Sequence, residues 1–163
     1  MKMNIRHYSE LTADELYEIL RARCAVFVVE QNCPYQDIDG LDKRSLHVFC
    51  TREDGSVAGC LRLYTLDGEQ GIVHLGRVVT TDRGTGLGRK ILHEGILQAE
   101  AMMPEGEIVI HSQSYAAGFY AKEGFRVTSE EFLEDDQPHV EMRLRLPRTL
   151  PAESEIMQTD SLS

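Results

Sequence analysis

Residues 78–90, Val-Val-Thr-Thr-Asp-Arg-Gly-Thr-Gly-Leu-Gly-Arg-Lys, constrain this chain more than any other stretch, because an apolar strand there passes through a glycine-rich turn into a helix. The pattern predicts a phosphate site. Glycine at 84, 86 and 88 allows positive φ angles and a close approach of backbone to ligand, and the first amides of the following helix point outward at its positive end. Arg83 and Arg89 add full charges on either side. A tight strand-to-helix turn with glycines for steric reasons is the plainer explanation. Spacing tests two familiar phosphate loops. The dinucleotide fingerprint GxGxxG fails at Arg89 when started from Gly84, and at Ile91 when started from Gly86. A Walker A loop needs Ser or Thr after Lys90, where Ile91 stands. RxxGxG does fit, from Arg83 to Gly88.

Length allows one domain: 163 residues can bury a single core. No apolar run approaches the ~20 residues of a membrane span, and the first residues lack a signal peptide's apolar centre, so no membrane association and a cytoplasmic location are expected. Cys24, Cys33, Cys50 and Cys60 have no CxxC spacing and read as free thiols, with no metal. The formal charge of -10 excludes a nucleic-acid partner, which needs clustered Lys and Arg, and suits a cationic acceptor such as an amine.

Read in order, residues 3–8 form a short strand. Thr12 and Glu15 make a capping box, and apolar residues near helical spacing predict a helix over 12–29. Residues 30–42 follow as a polar, acidic loop that reads, from composition, equally as a solvated connection. Residues 46–51, 57–65 and 72–80 read as a three-strand meander with turns at 53–56 and 66–71. The helix after the glycine turn carries Leu87, Ile91, Leu92, Ile96, Ala99 and Met103 on one stripe until Pro104 and Gly106 stop it. Residues 107–111 read as a central strand, 114–123 as a short helix stopped at Gly124, Phe125 as the start of the next strand and Phe132 as part of a short one. Alternation over 140–146 gives a closing strand, and 147–163 read as a mobile tail.

This order of elements, the RxxGxG turn after Val78, Val79 and Thr80, and the segment Phe119-Tyr120-Ala121-Lys122-Glu123-Gly124-Phe125 resemble the GNAT N-acetyltransferases over about residues 1–146. Residues 26–35, Gly76-Arg77-Val78 and Pro138-His139-Val140-Glu141-Met142 are similar to the ElaA-like subfamily. The resemblance implies an α/β fold, the GNAT acyl-CoA N-acyltransferase fold, with a mixed, mostly antiparallel central sheet flanked by helices. It also implies an acetyl-CoA-dependent N-acetyltransferase that moves acetyl to a primary amine, small-molecule or peptide, by direct attack in a ternary complex. A non-catalytic acyl-CoA-binding module of the same fold is the alternative, a nucleotide-binding domain a weaker third, and a homodimer is compatible with the family.

Residue by residue, the resemblance assigns acetyl-CoA to Val78, Val79, Thr80, Arg83, Gly84, Thr85, Gly86, Leu87, Gly88, Arg89 and Gln113. It gives Tyr120 the role of general acid, and the Val78 amide, at a break in strand pairing, that of polarising the thioester by oxyanion-hole logic. The acceptor pocket falls to Gln31, Tyr35, His47 and Arg62. An alkylammonium of pKa ~10.4 must lose a proton before it attacks, and Glu30, His47, His111 and His139 are the titratable candidates for taking it. Glu30 and His139, which the subfamily resemblance covers, are the favoured pair. Two departures stand out: Gln113 occupies a place where many GNAT enzymes have Asn, and residues 72–80 contain no Glu to serve as base.

Overall fold

The computed structural model describes residues 1–149, in two compact units. The first comprises Met1–Thr65 and Leu75–Gln98, the second Leu66–His74 with residues 99–149.

In the first unit β1 (Lys2–His7) pairs antiparallel with β2 (Leu46–Thr51), from Lys2 opposite Thr51 to His7 opposite Leu46. β2 pairs in turn with β3 (Val57–Tyr64), which neighbours β4 (Ile72–Thr80). Seven of the eight β3 residues are buried, so the strand reads as a continuous apolar run broken by Arg62. α1 (Ala13–Arg23) opens with the expected capping box: Glu15 N–H donates to Thr12 Oγ1 at 3.1 Å, and Thr12 N–H to Glu15 Oε1 at 2.9 Å. Ile19, Ala22 and Val26 pack with Phe49, Val57, Cys60 and Val79.

The helix expected over 12–29 changes character at Arg23. Cys24–Glu30 winds as a π-helical turn, closed by Gln31 N–H on Val26 O at 3.1 Å and by Cys33 N–H on Val28 O at 3.2 Å. Such wide turns concentrate at functional sites. α2 (Leu87–Met102) lies close against the strands: a Cβ on Gly59 would meet Ile91 Cδ1 at 2.5 Å, and one on Gly95 would meet Leu61 Cδ2 at 2.8 Å.

In the second unit Ile72–His74 of β4 pairs parallel with Glu107–Val109 of β5 (Glu107–Gln113). β8 (Gln137–Arg145) runs antiparallel along all of β5 and also carries β6 (Arg126–Val127) and β7 (Phe132–Glu134). The β7–β8 hairpin turns through Asp135 and Asp136, at φ 50° and 59°, the left-handed pair that a two-residue turn requires. It lengthens β8 at its start beyond the alternation read over 140–146. The helix expected over 114–123 is a 3-10 turn, Ser114–Ala116, followed by the short α3 (Ala117–Ala121). Gly124, at φ 103°, ends it as expected.

Of the expected tail, residues 150–163 lie outside the described residues. Arg148 is held: its N–H donates to Glu100 Oε1 at 2.8 Å, and its Nη1 lies 2.5 Å from Oε2 of the buried Glu123.

Candidate active site

The glycine turn takes the conformation its sequence predicts at two of three positions. Gly84 and Gly86 stand at φ 75° and 79°, and a Cβ built on either meets nothing within 4 Å. Gly88 lies inside α2 and needs no positive φ, a correction to its expected role. Lys90 N–H closes the first turn on Gly86 O at 3.2 Å, so Leu87, Gly88 and Arg89 precede the first closed turn, where helix amides lack intrahelical acceptors. Thr85 Oγ1 donates to Asp82 O at 2.9 Å and accepts from Leu87 N–H at 3.4 Å. Arg52, at the end of β2, braces the approach by donating to Asp82 Oδ1 at 2.5 Å and Thr81 Oγ1 at 2.8 Å. Open space, exposed backbone and a helix's positive end make this turn fit a pyrophosphate. Arg83 pairs with Glu30, at the end of the π-helical turn, and both are exposed. A candidate phosphate ligand and a candidate base therefore hold one another.

The acidic loop proves to be built on charge. Arg23, only 1% exposed, donates from Nε to Asp37 Oδ2 at 3.0 Å and from Nη1 to Asp42 Oδ1 at 2.6 Å. Arg62, 3% exposed, donates to Asp39 Oδ2 at 2.6 Å and to Asp42 Oδ1 at 3.1 Å. Arg77 donates from Nη2 to Asp37 O at 3.0 Å and Asp39 Oδ2 at 3.3 Å. Its Nε lies 2.7 Å from Asp37 Oδ1, an ion-pair contact whose angle falls outside hydrogen-bond geometry. Three guanidinium groups thus meet three carboxylates. Burial pushes the Asp39 carboxyl up, but hydrogen bonds from Arg62 and the Leu41 amide, with the charges of Arg62 and Arg77, outweigh it and hold it at about 2. Asp42 is lowered in the same way: burial opposes its charge, and Arg23 and Arg62 override it. Burial also works against the Arg23 charge, yet bonding to Asp42 and the nearby Asp37 raise its pKa.

Two expected acceptor-pocket residues, His47 and Arg62, belong to this network. His47 is 1% exposed, its Nε2 donates to Asp42 O at 3.0 Å, and burial lowers its pKa, which favours the neutral ring. Arg62 is likewise enclosed, bonded to Asp39 and Asp42. Tyr35 is half-buried, donates to Asp37 Oδ1 at 3.1 Å and lies under Arg77, whose guanidinium carbon is 5.6 Å from its ring. Burial pushes its phenol up. Gln31 follows the π-helical turn and is half-buried.

β4 carries a feature that sequence reasoning missed. Arg77 stands at φ 52°, left-handed backbone in the middle of a strand, which a residue other than glycine rarely adopts. Such a position costs ~1–3 kcal/mol and persists where surroundings over-determine it. The register of β4 on β5 ends at His74 opposite Val109, three residues before it, and Val78, Val79 and Thr80 follow. The expectation set the break in pairing around Val78; the paired stretch ends four residues earlier.

In the second unit Tyr120 sits on α3, half-buried, with ring centroids 5.1 Å from Phe119 and 5.8 Å from Phe125. Burial raises its phenol's pKa, so it stays protonated across the working range. His139 lies opposite Gln113 on β5 and Phe132 on β7. Its Nδ1 is 2.7 Å from Gln137 O, to which Nδ1–H donates, and its Nε2 lies 3.6 Å from Glu134 Oε2. Glu134 Oε1 also accepts from His111 Nδ1 at 3.0 Å, and that bond raises the His111 pKa. Glu134 was invisible to spacing because a hairpin brings it there. Among the described residues, no group of three or more His, Cys, Asp or Glu is arranged to hold a metal, and no helix is long and apolar enough to cross a membrane.

Residues 8–146 match the model of an acetyltransferase (GNAT) domain. The structure is similar to an acyl-CoA N-acyltransferase from Pseudomonas aeruginosa, at 36% identity and a TM-score of 0.81 over 88% of this chain and 99% of that one. It is also similar to Escherichia coli ElaA, at 34% identity and a TM-score of 0.81 over 87% of this chain and 97% of that one. In sequence alone, Escherichia coli ElaA is 36% identical over 140 residues, 83% of this chain and 91% of ElaA. The chain belongs to the GNAT acetyltransferase family. Its fold is that of the GNAT acyl-CoA N-acyltransferases, a mixed sheet of mostly antiparallel strands flanked by helices.

Proposed function

We propose that the chain transfers an acetyl group from acetyl-CoA to a primary amine by direct attack in a ternary complex. The observation that carries this reading is the open, left-handed glycine turn at the start of α2, flanked by Arg83 and Arg89. Arg83, Arg89 and the amides of Gly84, Thr85, Gly86, Leu87 and Gly88 hold the pyrophosphate, Val78, Val79 and Thr80 pair with the pantetheine arm, and Gln113 adds a polar contact. Bound acetyl-CoA supplies an activated thioester carbonyl. The Val78 N–H donates to the oxygen that gains charge, which is worth most where water is excluded.

Tyr120 donates toward the departing sulfur. Its raised pKa keeps the proton on the phenol and makes full transfer to a thiolate unfavourable, so a strong hydrogen bond accounts for much of its effect. On the acceptor side, His139 Nε2 takes a proton from the ammonium, and Glu134 at 3.6 Å stabilises the imidazolium formed. Glu30 does the same work once Arg83 is engaged elsewhere. Tyr35 and Gln31 border the acceptor, and His47 and Arg62 hold the loop beneath it. The net charge of -10 attracts a cationic acceptor. A cytoplasmic location belongs to the same reading, supported by four free cysteines.

The test is thiol release from acetyl-CoA by the purified chain against pooled polyamines, amino acids, aminoglycosides and lysine peptides. Release above the rate without acceptor, reduced in Tyr120→Phe with coenzyme A affinity intact, is the expected result. Coenzyme A binding with no release from any pool would replace this reading with that of a binding module.

A further inference from the structure

Resting on the reading that the Val78 amide polarises the thioester, we propose that Arg77 is a positioning residue whose ion pairs to Asp37 and Asp39 hold β4 in the conformation that aims that amide. The peptide linking Arg77 to Val78 carries the Val78 N–H, so its plane turns with the backbone angles of Arg77. That residue's φ of 52° is one an arginine adopts only under constraint. The constraint is visible at the other end of the side chain. Nη2 donates to Asp37 O and Asp39 Oδ2, Nε lies against Asp37 Oδ1, and the guanidinium lies over the Tyr35 ring.

Those anchors are themselves fixed. Asp37 is buried and bound by Arg23, and Asp39 is bound in a fork by Arg62 at 2.8 and 2.6 Å. A side chain that had merely found a surface partner would carry neither the strained backbone nor the doubly anchored receptor. The tether therefore joins the loop that borders the acceptor to the strand residue that meets the thioester. The position of that loop and the alignment of the amide are thereby coupled.

The test compares Arg77→Gly, which accepts φ 52° without strain but has no tether, with Arg77→Lys, which keeps the charge but loses the planar fork. In the ligand-free chain, the Val78 amide should shift in its NMR resonance and exchange faster with solvent in Arg77→Gly, and return part of the way in Arg77→Lys. In turnover, kcat should fall about tenfold or more in Arg77→Gly while the KM for acetyl-CoA changes less than about twofold, the signature of a lost transition-state contact. A folded Arg77→Gly chain whose Val78 amide is unmoved overturns the proposal, and so does unchanged kcat. If the wild-type chain turns over no amine, the acyltransfer reading fails, while the amide measurement still decides whether the tether sets this peptide. Should Arg77→Gly not fold, Asp39→Asn loosens the same tether from its other end and is read in the same way.

Discussion

Beneath residues 37–42, three arginines and three aspartates neutralise one another in a space where Arg23 and Arg62 are 1% and 3% exposed. At the start of α2, Arg83 stands at the surface with Glu30, beside two left-handed glycines and empty space. Both regions bring guanidinium groups to anions, yet with opposite consequences. In the buried region each charge has a fixed counter-charge, and removing one strands another, so the network sets a conformation. In the exposed region the pairing is cheap to break, so the charge is available to an incoming phosphate. A fold can thus use one pair of residue types to hold a loop still and to keep a ligand site open, and burial decides which.

The comparison predicts its largest effect at Arg23. Replacing it with alanine leaves Asp37 and Asp42 buried with fewer partners and should destabilise the first unit by ~3–5 kcal/mol, read from urea denaturation. A loss below ~1 kcal/mol would mean that the network is not what fixes the loop.

Arg23 also shows where sequence reading stopped. The core strands were legible, and the strand read over 72–80 matches β4, because apolar runs between glycine-rich turns mark their own limits. The capping box at Thr12 and the stop at Gly124 were equally local signals. The charged network was not local: its bonds join residues 14 to 40 positions apart. From composition, the acidic loop therefore read equally as a solvated connection. A signal existed, since Arg23 lies on the stripe of Ile19, Ala22 and Val26, and Arg62 interrupts an otherwise apolar strand. An arginine on a core-facing position demands a buried carboxylate, and a loop with three aspartates supplies it. The π-helical turn at Cys24–Glu30 and the left-handed Arg77 left no such mark, because both depend on tertiary partners rather than on a period.

The next effect falls on the open region. Gly86→Val puts a β-branched residue at φ 79°, where space is free but the backbone angle is not. Coenzyme A affinity by calorimetry should fall at least about tenfold, while stability changes by only ~1–3 kcal/mol. The opposite ranking, a large loss of stability with affinity intact, would make the turn a purely structural connection.

A smaller effect separates the two regions by pH. Burial lowers the pKa of His47, so between that lowered value and the ordinary ~6.5 the unfolded chain binds more protons than the folded one. Stability should fall as pH drops below about 6.5. Asp39, held at about 2, and Asp42 contribute stability that is present above ~4 and is lost as pH falls through their folded values. His47→Gln keeps a donor for the Asp42 carbonyl and should remove the component near 6.5 while leaving the acid limb in place. Urea midpoints at several pH values resolve the two, and an unchanged profile in His47→Gln would place the upper component elsewhere.

The smallest effect belongs to Glu30, where the two readings of that residue part. As a surface partner of Arg83, its loss should change stability by no more than ~1 kcal/mol. Because Glu30 competes with a phosphate for the same guanidinium, Glu30→Gln should tighten coenzyme A binding about two- to fivefold at low salt, with the gain shrinking as salt screens the pair. If Glu30 also takes the acceptor's proton, kcat falls in the same variant while affinity rises. Tighter binding with unchanged kcat assigns Glu30 to the phosphate side alone and leaves His139 as the base. Unchanged binding at every salt concentration would mean that Arg83 exchanges Glu30 for phosphate at no cost, and the exposed region would be more open than the Arg83–Glu30 pair suggests.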